Sequence, residues 1–263
     1  YELKEWNTEA DGTGTSYATA TDAENYLKTQ SEGTNLTLYA IWNELDAKYV
    51  DGKTFALAIK RLAGNNISSY ADSDSSITSI AWSNSAPNMS LDSAVKASQY
   101  RNISSSSLVD VSSTAAPIYA WFDNGAIKLY SNAERITLNS DVSCMLYGLT
   151  KLSSLNVRNN LKVSSTSNVT NMNRTFYNVG GSVTTLNIDL SVWDTSNVTD
   201  MSNTFERLGF SATTINLTGL SNLNTSSVTD MSNMFYYSCY NATAFNLDLS
   251  RWNVSNVTNM SIS

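Results

Sequence analysis

The chain has 263 residues, about two domains at ~150 residues each, and 41% of them are hydrophobic, enough to build a core. Charged residues make up only 15% against a usual ~25%, and 16 basic against 23 acidic residues leave a net charge of −7, which argues against a nucleic-acid or anionic-membrane partner. Histidine is absent, which removes the usual general base, the usual zinc ligand and any imidazole triad, so neither enzyme, cofactor nor metal is expected.

Residues 1–42 open with Tyr1, Trp6, an Asp11-Gly-Thr-Gly14 turn and Tyr17, and close with Leu36-Thr-Leu-Tyr-Ala-Ile-Trp42. They resemble the C-terminal part of a Listeria–Bacteroides repeat of internalin-type surface proteins. That resemblance implies a small β-grasp-like module, here without its first strands. Two strands alone are marginal in water, so the piece is expected to dock on the neighbouring segment of the chain or to belong to a larger module. Gly12-Thr-Gly14 lacks the spacing and the lysine of a phosphate loop.

Residues 43–130 read as an α/β connector and N-terminal cap. Thr54 can cap a helix over Phe55–Ala63, where Phe55, Ile59 and Leu62 share a face and Gly64 stops it. Ile77–Trp82 reads as a strand. Ser83–Ser113 has no firm period and predicts loop with a short helix near Leu91–Ala97. Ile118–Phe122 and Ala126–Tyr130 flank Asp123-Asn124-Gly125, and Asn-Gly is the strongest short hairpin signal.

Residues 131–263 repeat themselves. Ser167-Asn-Val-Thr-Asn-Met172 returns at Ser196–Met201, Ser226–Met231 and Ser255–Met260, in steps of 29, 30 and 29 residues. Phe176, Phe205 and Phe235 each come four residues after a methionine. A degenerate copy, Met145-Leu146-Tyr147, precedes them. Val198, Met201 and Phe205 fall at i, i+3 and i+7, one face of a short helix. Leu186, Ile188 and Leu190 alternate at period two, as do Ile215/Leu217 and Phe245/Leu247/Leu249, which predicts a strand with one buried face. Such units bury their apolar faces only by stacking. The expected fold class is therefore an α/β repeat solenoid, with short parallel strands and short helices in each coil, behind a β-rich N-terminal remnant and an α/β cap. The Ser/Asn-Val-Thr-Asp/Asn-Met…Phe pattern with its subsequent strand and Trp resembles the leucine-rich-repeat-like family of BspA-type bacterial surface proteins. Both resemblances imply a location at the cell surface or in the secreted fraction. The chain stops three residues after Met260, so the repeat is expected to continue beyond it, or its open last coil to form a weak dimer with a second copy.

Few residues in this pattern invite chemistry. Asp194, Asp200 and Asp230 lack the spacing of a calcium loop, and the carboxylates of Asp189 and Asp194 have no accompanying cleft for glycoside hydrolysis. Cys144 and Cys239 lie three units apart, roughly 14 Å at the spacing of parallel strands, too far for a disulfide. Sequons such as Asn168-Val-Thr170 and Asn241-Ala-Thr243 arise from the repeat itself. No stretch reaches ~18 apolar residues, so no transmembrane segment is expected, and no signal-peptide pattern opens the chain. The candidate ligand-binding residues are aromatic. Tyr236, Tyr237 and Tyr240 cluster in an inter-repeat loop, and large amphipathic aromatics are favoured at interfaces. Trp193 and Trp252 share one repeat position and read as core packing or as a sugar-stacking platform. The expected function is non-catalytic adhesion to an extracellular protein or glycan of a host or neighbouring cell. A structural spacer is the alternative, and a carbohydrate-active enzyme the remote one.

Overall fold

The computed structural model describes residues 2–30, 37–43, 45–64, 66–88, 95–96, 107–114, 116–245 and 247–262. The first unit is an antiparallel sheet of β1 (Glu2–Asn7), β2 (Ser16–Tyr17) and β3 (Tyr39–Asn43), in the order β2-β1-β3. Its β1–β2 turn is organised by the buried Asn7, whose Oδ1 accepts from the Glu9 amide at 2.9 Å and whose Nδ2 donates to the Gly12 carbonyl at 3.2 Å. The expected two-strand remnant is thus three strands, and it carries a helix absent from the sequence reading, α1 (Ala20–Lys28). The helix starts at a reciprocal cap: Thr19 Oγ1 accepts from the Asp22 amide while the Asp22 carboxylate accepts from the Thr19 amide. Tyr26 on it stacks on Tyr17 at 4.7 Å.

The next segment runs β4 (Asp46–Lys48), α2 (Gly52–Leu62), β5 (Ser79–Trp82), β6 (Val95–Lys96), β7 (Val109–Asp110), β8 (Tyr119–Asp123) and β9 (Ala126–Tyr130). The face of Phe55, Ile59 and Leu62 is fully buried, as its spacing predicts. The cap, however, is Asp51, whose carboxylate accepts from the Thr54 amide at 3.0 Å, so the helix starts three residues earlier than Thr54 alone indicates. Asn124 and Gly125 both take positive φ, 46° and 86°, and close the β8–β9 hairpin. Five strands form a mixed sheet in the order β5-β9-β8-β7-β6. The helix expected near Leu91–Ala97 lies outside the described residues except for 95–96, which are strand.

The repeats come last. β10 (Arg135–Thr137) pairs in parallel with β4, which ties the repeats to the preceding segment. β11 (Ser154–Asn156), the short α3 (Val157–Asn160), β12 (Thr185–Asp189) and β13 (Thr214–Thr218) come next, and β11-β12-β13 form a parallel sheet in which Leu155, Ile188 and Leu217 are in register. Equivalent residues of successive units also bridge in parallel along Asp141, Asn171, Asp200, Asp230 and Asn259. Phe176, Phe205 and Phe235 stack in a column at 5.3 and 5.5 Å. One hydrophobic cluster runs from Ala47 to Met234, so the repeats and the segment before them share a core.

The α/β repeat solenoid is overturned. The described strands divide into separate sheets of three, two, three and five, and the described α-helices number three. None of them covers the Met–Phe stretches, which are runs of turns. The reason lies in the amides. Along 201–207, Met201, Asn203, Phe205 and Arg207 donate to carbonyls of the next unit (Asp230, Ser232, Met234 and Tyr236), while Thr204, Glu206 and Leu208 donate three residues back. Alternation of this kind cannot supply the i→i−4 bonds of an α-helix. It drives φ positive at Asn203, Arg207 and Gly209, and at the equivalent Arg174, Asn178 and Gly180. The spacing of Val198, Met201 and Phe205 still places all three inside, because turns of about three residues satisfy it as well as a helix does. The strand expected at Phe245/Leu247/Leu249 is not formed by the described residues 245 and 247–249; beside them Ala244 bridges to Thr214.

Candidate functional site

The turn runs give the repeats a face on which side chains at fixed repeat positions line up from one unit to the next. At one such position Tyr147, Tyr177, Glu206 and Tyr236 succeed each other in steps of 30, 29 and 30 residues. Tyr147 and Tyr177 stack nearly parallel at 4.4 Å, and they border a cleft of about 170 Å³ with Tyr70, Cys144, Arg174 and Glu206. One unit further, Tyr236 and Tyr237 meet at 4.3 Å, Phe210 stacks on Tyr240 at 5.3 Å, and the Arg207 guanidinium lies 4.5 Å from the Phe210 ring centre. Tyr236, Tyr237 and Tyr240 are 39%, 44% and 63% exposed, an aromatic patch on a surface otherwise rich in Ser, Thr and Asn.

Charge is concentrated at the same place. Burial pushes the Glu206 carboxyl upward while Arg174 and Arg207 pull it down. Hydrogen bonding of its O–H to Tyr237 first, then desolvation and the nearby Glu206, raise the Tyr236 phenol, and burial raises that of Tyr147 to about 12. Both of these phenols stay neutral donors at physiological pH. Behind the cleft, Lys60 is wholly buried; its ammonium donates to the carbonyls of Tyr70 (2.5 Å) and Asp72 (2.7 Å) and lies 5.5 Å from the Tyr147 ring centre. It fixes the loop that carries Tyr70.

The two tryptophans lie elsewhere. Trp193 is 5% exposed and packs edge-on against Phe176 at 5.8 Å, and its indole N–H meets no acceptor among the described residues. It offers no ring face to a ligand. Trp252 is half-buried on Phe235 at 6.1 Å and donates its indole N–H to the Leu220 carbonyl at 3.0 Å. With Met231, Leu247, Leu249 and Met260 it borders an apolar hollow of about 500 Å³.

The aspartates act within their own turns. Asp194, Asp200 and Asp230 each accept the amide of the residue two ahead, Ser196, Ser202 and Ser232, at 3.0, 2.9 and 2.8 Å. Asp189 and Asp194 are both held below the usual carboxylate range, in each case chiefly by a serine two residues on. Both are therefore ionised, without the split of pKa values that separates a general acid from its partner. No three His, Cys, Asp or Glu side chains converge as metal ligands among the described residues. Cys144 and Cys239 are free and buried.

The structure brings together Tyr236, Tyr237 and Tyr240, which the sequence singles out as candidates, and adds Phe210, Arg207, Tyr147, Tyr177 and Glu206 on the same face, which it does not. Aligning the repeats by register would have shown the last three beside Tyr236. No described helix is long and apolar enough to cross a membrane. Residues 140–262, a little under half of the chain, match the family described as Mycoplasma protein of unknown function, DUF285. No curated protein and no solved structure matches the chain.

Proposed function

We propose that the chain is a non-catalytic recognition module of a cell-surface or secreted protein, binding an extracellular protein or glycan through the turn face of its repeats. The observation that carries this reading is the cluster of exposed Tyr236, Tyr237 and Tyr240 with the half-buried Phe210 and Arg207 against them. Tyrosine and arginine dominate binding energy where large rings meet a partner, and among the described residues the other exposed aromatic is Tyr39 alone. The repeat scaffold beneath is cross-bonded from unit to unit, so the rings are presented with little ordering left to do on binding.

The test is capture of epithelial cells and of mucin by the immobilised chain, with the soluble chain as competitor and glycosidase-treated targets alongside. Saturable, competable capture is expected. It should fall at least tenfold when Tyr236→Ser, Tyr237→Asn and Tyr240→Ser are combined, Asn being chosen because residue 237 has φ 56°. The continuous hydrogen-bond ladders favour a second reading, a stiff spacer presenting another domain; a folded chain that captures nothing would select it.

A further inference from the structure

A second cleft, sharing no residue with the aromatic face, lies where α3 packs against β5, the edge strand of the five-stranded sheet. It encloses about 650 Å³ and is lined by Trp82, Asn84, Arg158, Asn159, Lys162 and Ser164. Trp82 is half-buried, with part of its side chain fixed against the core. Arg158 and Lys162 stand four residues apart, and the left-handed turn at Lys162 (φ 56°) carries the chain out of α3 beneath them. Among the described residues, no carboxylate lines the cleft. Among the described residues, none forms an ion pair with either cation.

We propose that this cleft binds a carboxylated pyranose, the uronic or sialic acid unit of an acidic saccharide. Arg158 and Lys162 are both exposed, and although the chain carries a net charge of −7, no carboxylate among the described residues pairs with either. A guanidinium matches a carboxylate with two parallel hydrogen bonds, and an ammonium beside it adds a point charge. The indole supplies a flat apolar wall for the C–H face of a sugar ring, while Asn84, Asn159 and Ser164 provide donors and acceptors for hydroxyls. The volume lies within the several hundred cubic ångströms of small-molecule sites. Two cations do not make the continuous stripe that a nucleic-acid backbone needs.

Titration calorimetry of the whole chain with a hyaluronan tetrasaccharide and with 3′-sialyllactose tests this, the two probes separating uronic from sialic acid. Saturable binding with Kd below ~1 mM is expected for at least one of them, weakening as salt is added. Lactose and the methyl ester of the bound saccharide should bind at least tenfold more weakly. Arg158→Gln with Lys162→Gln, both exposed and safe for folding, should reduce affinity at least tenfold, and so should Trp82→Leu in a chain of unchanged melting temperature. The Tyr236, Tyr237 and Tyr240 variant should bind the saccharide like wild type, so this result stands or falls apart from the aromatic face. Absence of saturable binding to both probes, equal binding of the neutral analogues, or full affinity in the Arg158/Lys162 variant would each overturn the proposal.

Discussion

Among the described residues between 45 and 133 the stabilising contacts cited above are each used once, whereas from residue 134 onward equivalent contacts recur in steps of about 29 or 30. In the first region Asp51 caps one helix, Asn124-Gly125 closes one hairpin, and Lys60 ties one loop through two carbonyls. In the second, Thr170, Thr199, Thr229 and Thr258 all donate their amides to the unit before, and Asn168, Asn197 and Asn256 reach back in the same way through Nδ2 at 2.6–2.7 Å. Thr175 and Thr204 bury their hydroxyls between successive turns, each within bonding distance of two carbonyls. A region of single-use contacts depends on each of them. A region of repeated contacts distributes its exposed bonds, but each inward position touches two neighbours at once.

The column of phenylalanines is where that second property should show most. Phe205 is fully buried, with Phe176 and Phe235 stacked on either side, so truncation removes two ring contacts and opens a cavity. Phe205→Ala is expected to lower unfolding free energy by about 3–5 kcal/mol in urea titrations. Amides along 201–209 should lose hydrogen-exchange protection ahead of those in β8 and β9. A variant that unfolds like wild type would remove the column from this account.

Lys60 tests the single-use region. Burial lowers its ammonium pKa to about 8, with Asp74 and Asp72 pulling it partly back. The unfolded chain returns it to ~10.4, so between these values the unfolded state holds the extra proton. Stability therefore rises with pH across that window, and the penalty is complete below it. Other groups titrate there too, since Cys239 and Cys144 are both raised by burial and Cys144 also feels the Lys60 charge, so Lys60→Met is compared with its parent in a Cys144→Ser background, where Cys239 cancels. From pH 7.5 to 9.5, the parent should gain about 2 kcal/mol on the variant, at up to ~1.4 kcal/mol per unit. Parallel stability curves would mean that the amine ionises as freely inside as in water.

Legibility in the sequence divides along the same line. The buried face of α2 and the Asn-Gly hairpin are local signals, and both are where the residues predict them. Helix α1 was missed because its Thr19-x-x-Asp22 box precedes a segment with only Ala23 buried, too little apolar periodicity to notice. In the repeats the inward residues were readable and the backbone was not, since i, i+3 and i+7 suits a helix and a run of turns alike. The distinguishing marks were Asn203, Asn178, Gly180 and Gly209, residue types that tolerate positive φ, at recurring offsets. The tyrosines announced themselves by composition. Phe210 and Arg207 joined them only through contacts between units, and Arg158 and Lys162 became a pair with Trp82 only when α3 packed on β5.

Asn203 turns this distinction into an experiment of small size but decisive sign. Its φ is 56°, and its amide donates to the Ser232 carbonyl at 2.8 Å; the equivalent Asn233 has φ 52° and donates to Ser261 at 2.8 Å. A Cβ in this left-handed conformation is disfavoured, and asparagine tolerates it better than alanine, so Asn203→Ala should destabilise by about 1 kcal/mol. Asn203→Gly adopts the same φ freely and should stay closer to wild type, losing only what a more flexible unfolded chain takes back. If the stretch were helical the order would invert, because alanine is the best helix former and glycine among the worst, some ~1 kcal/mol apart. Urea midpoints of the two variants therefore separate the backbones by sign: glycine above alanine belongs to alternating turns, and alanine above glycine to a helix.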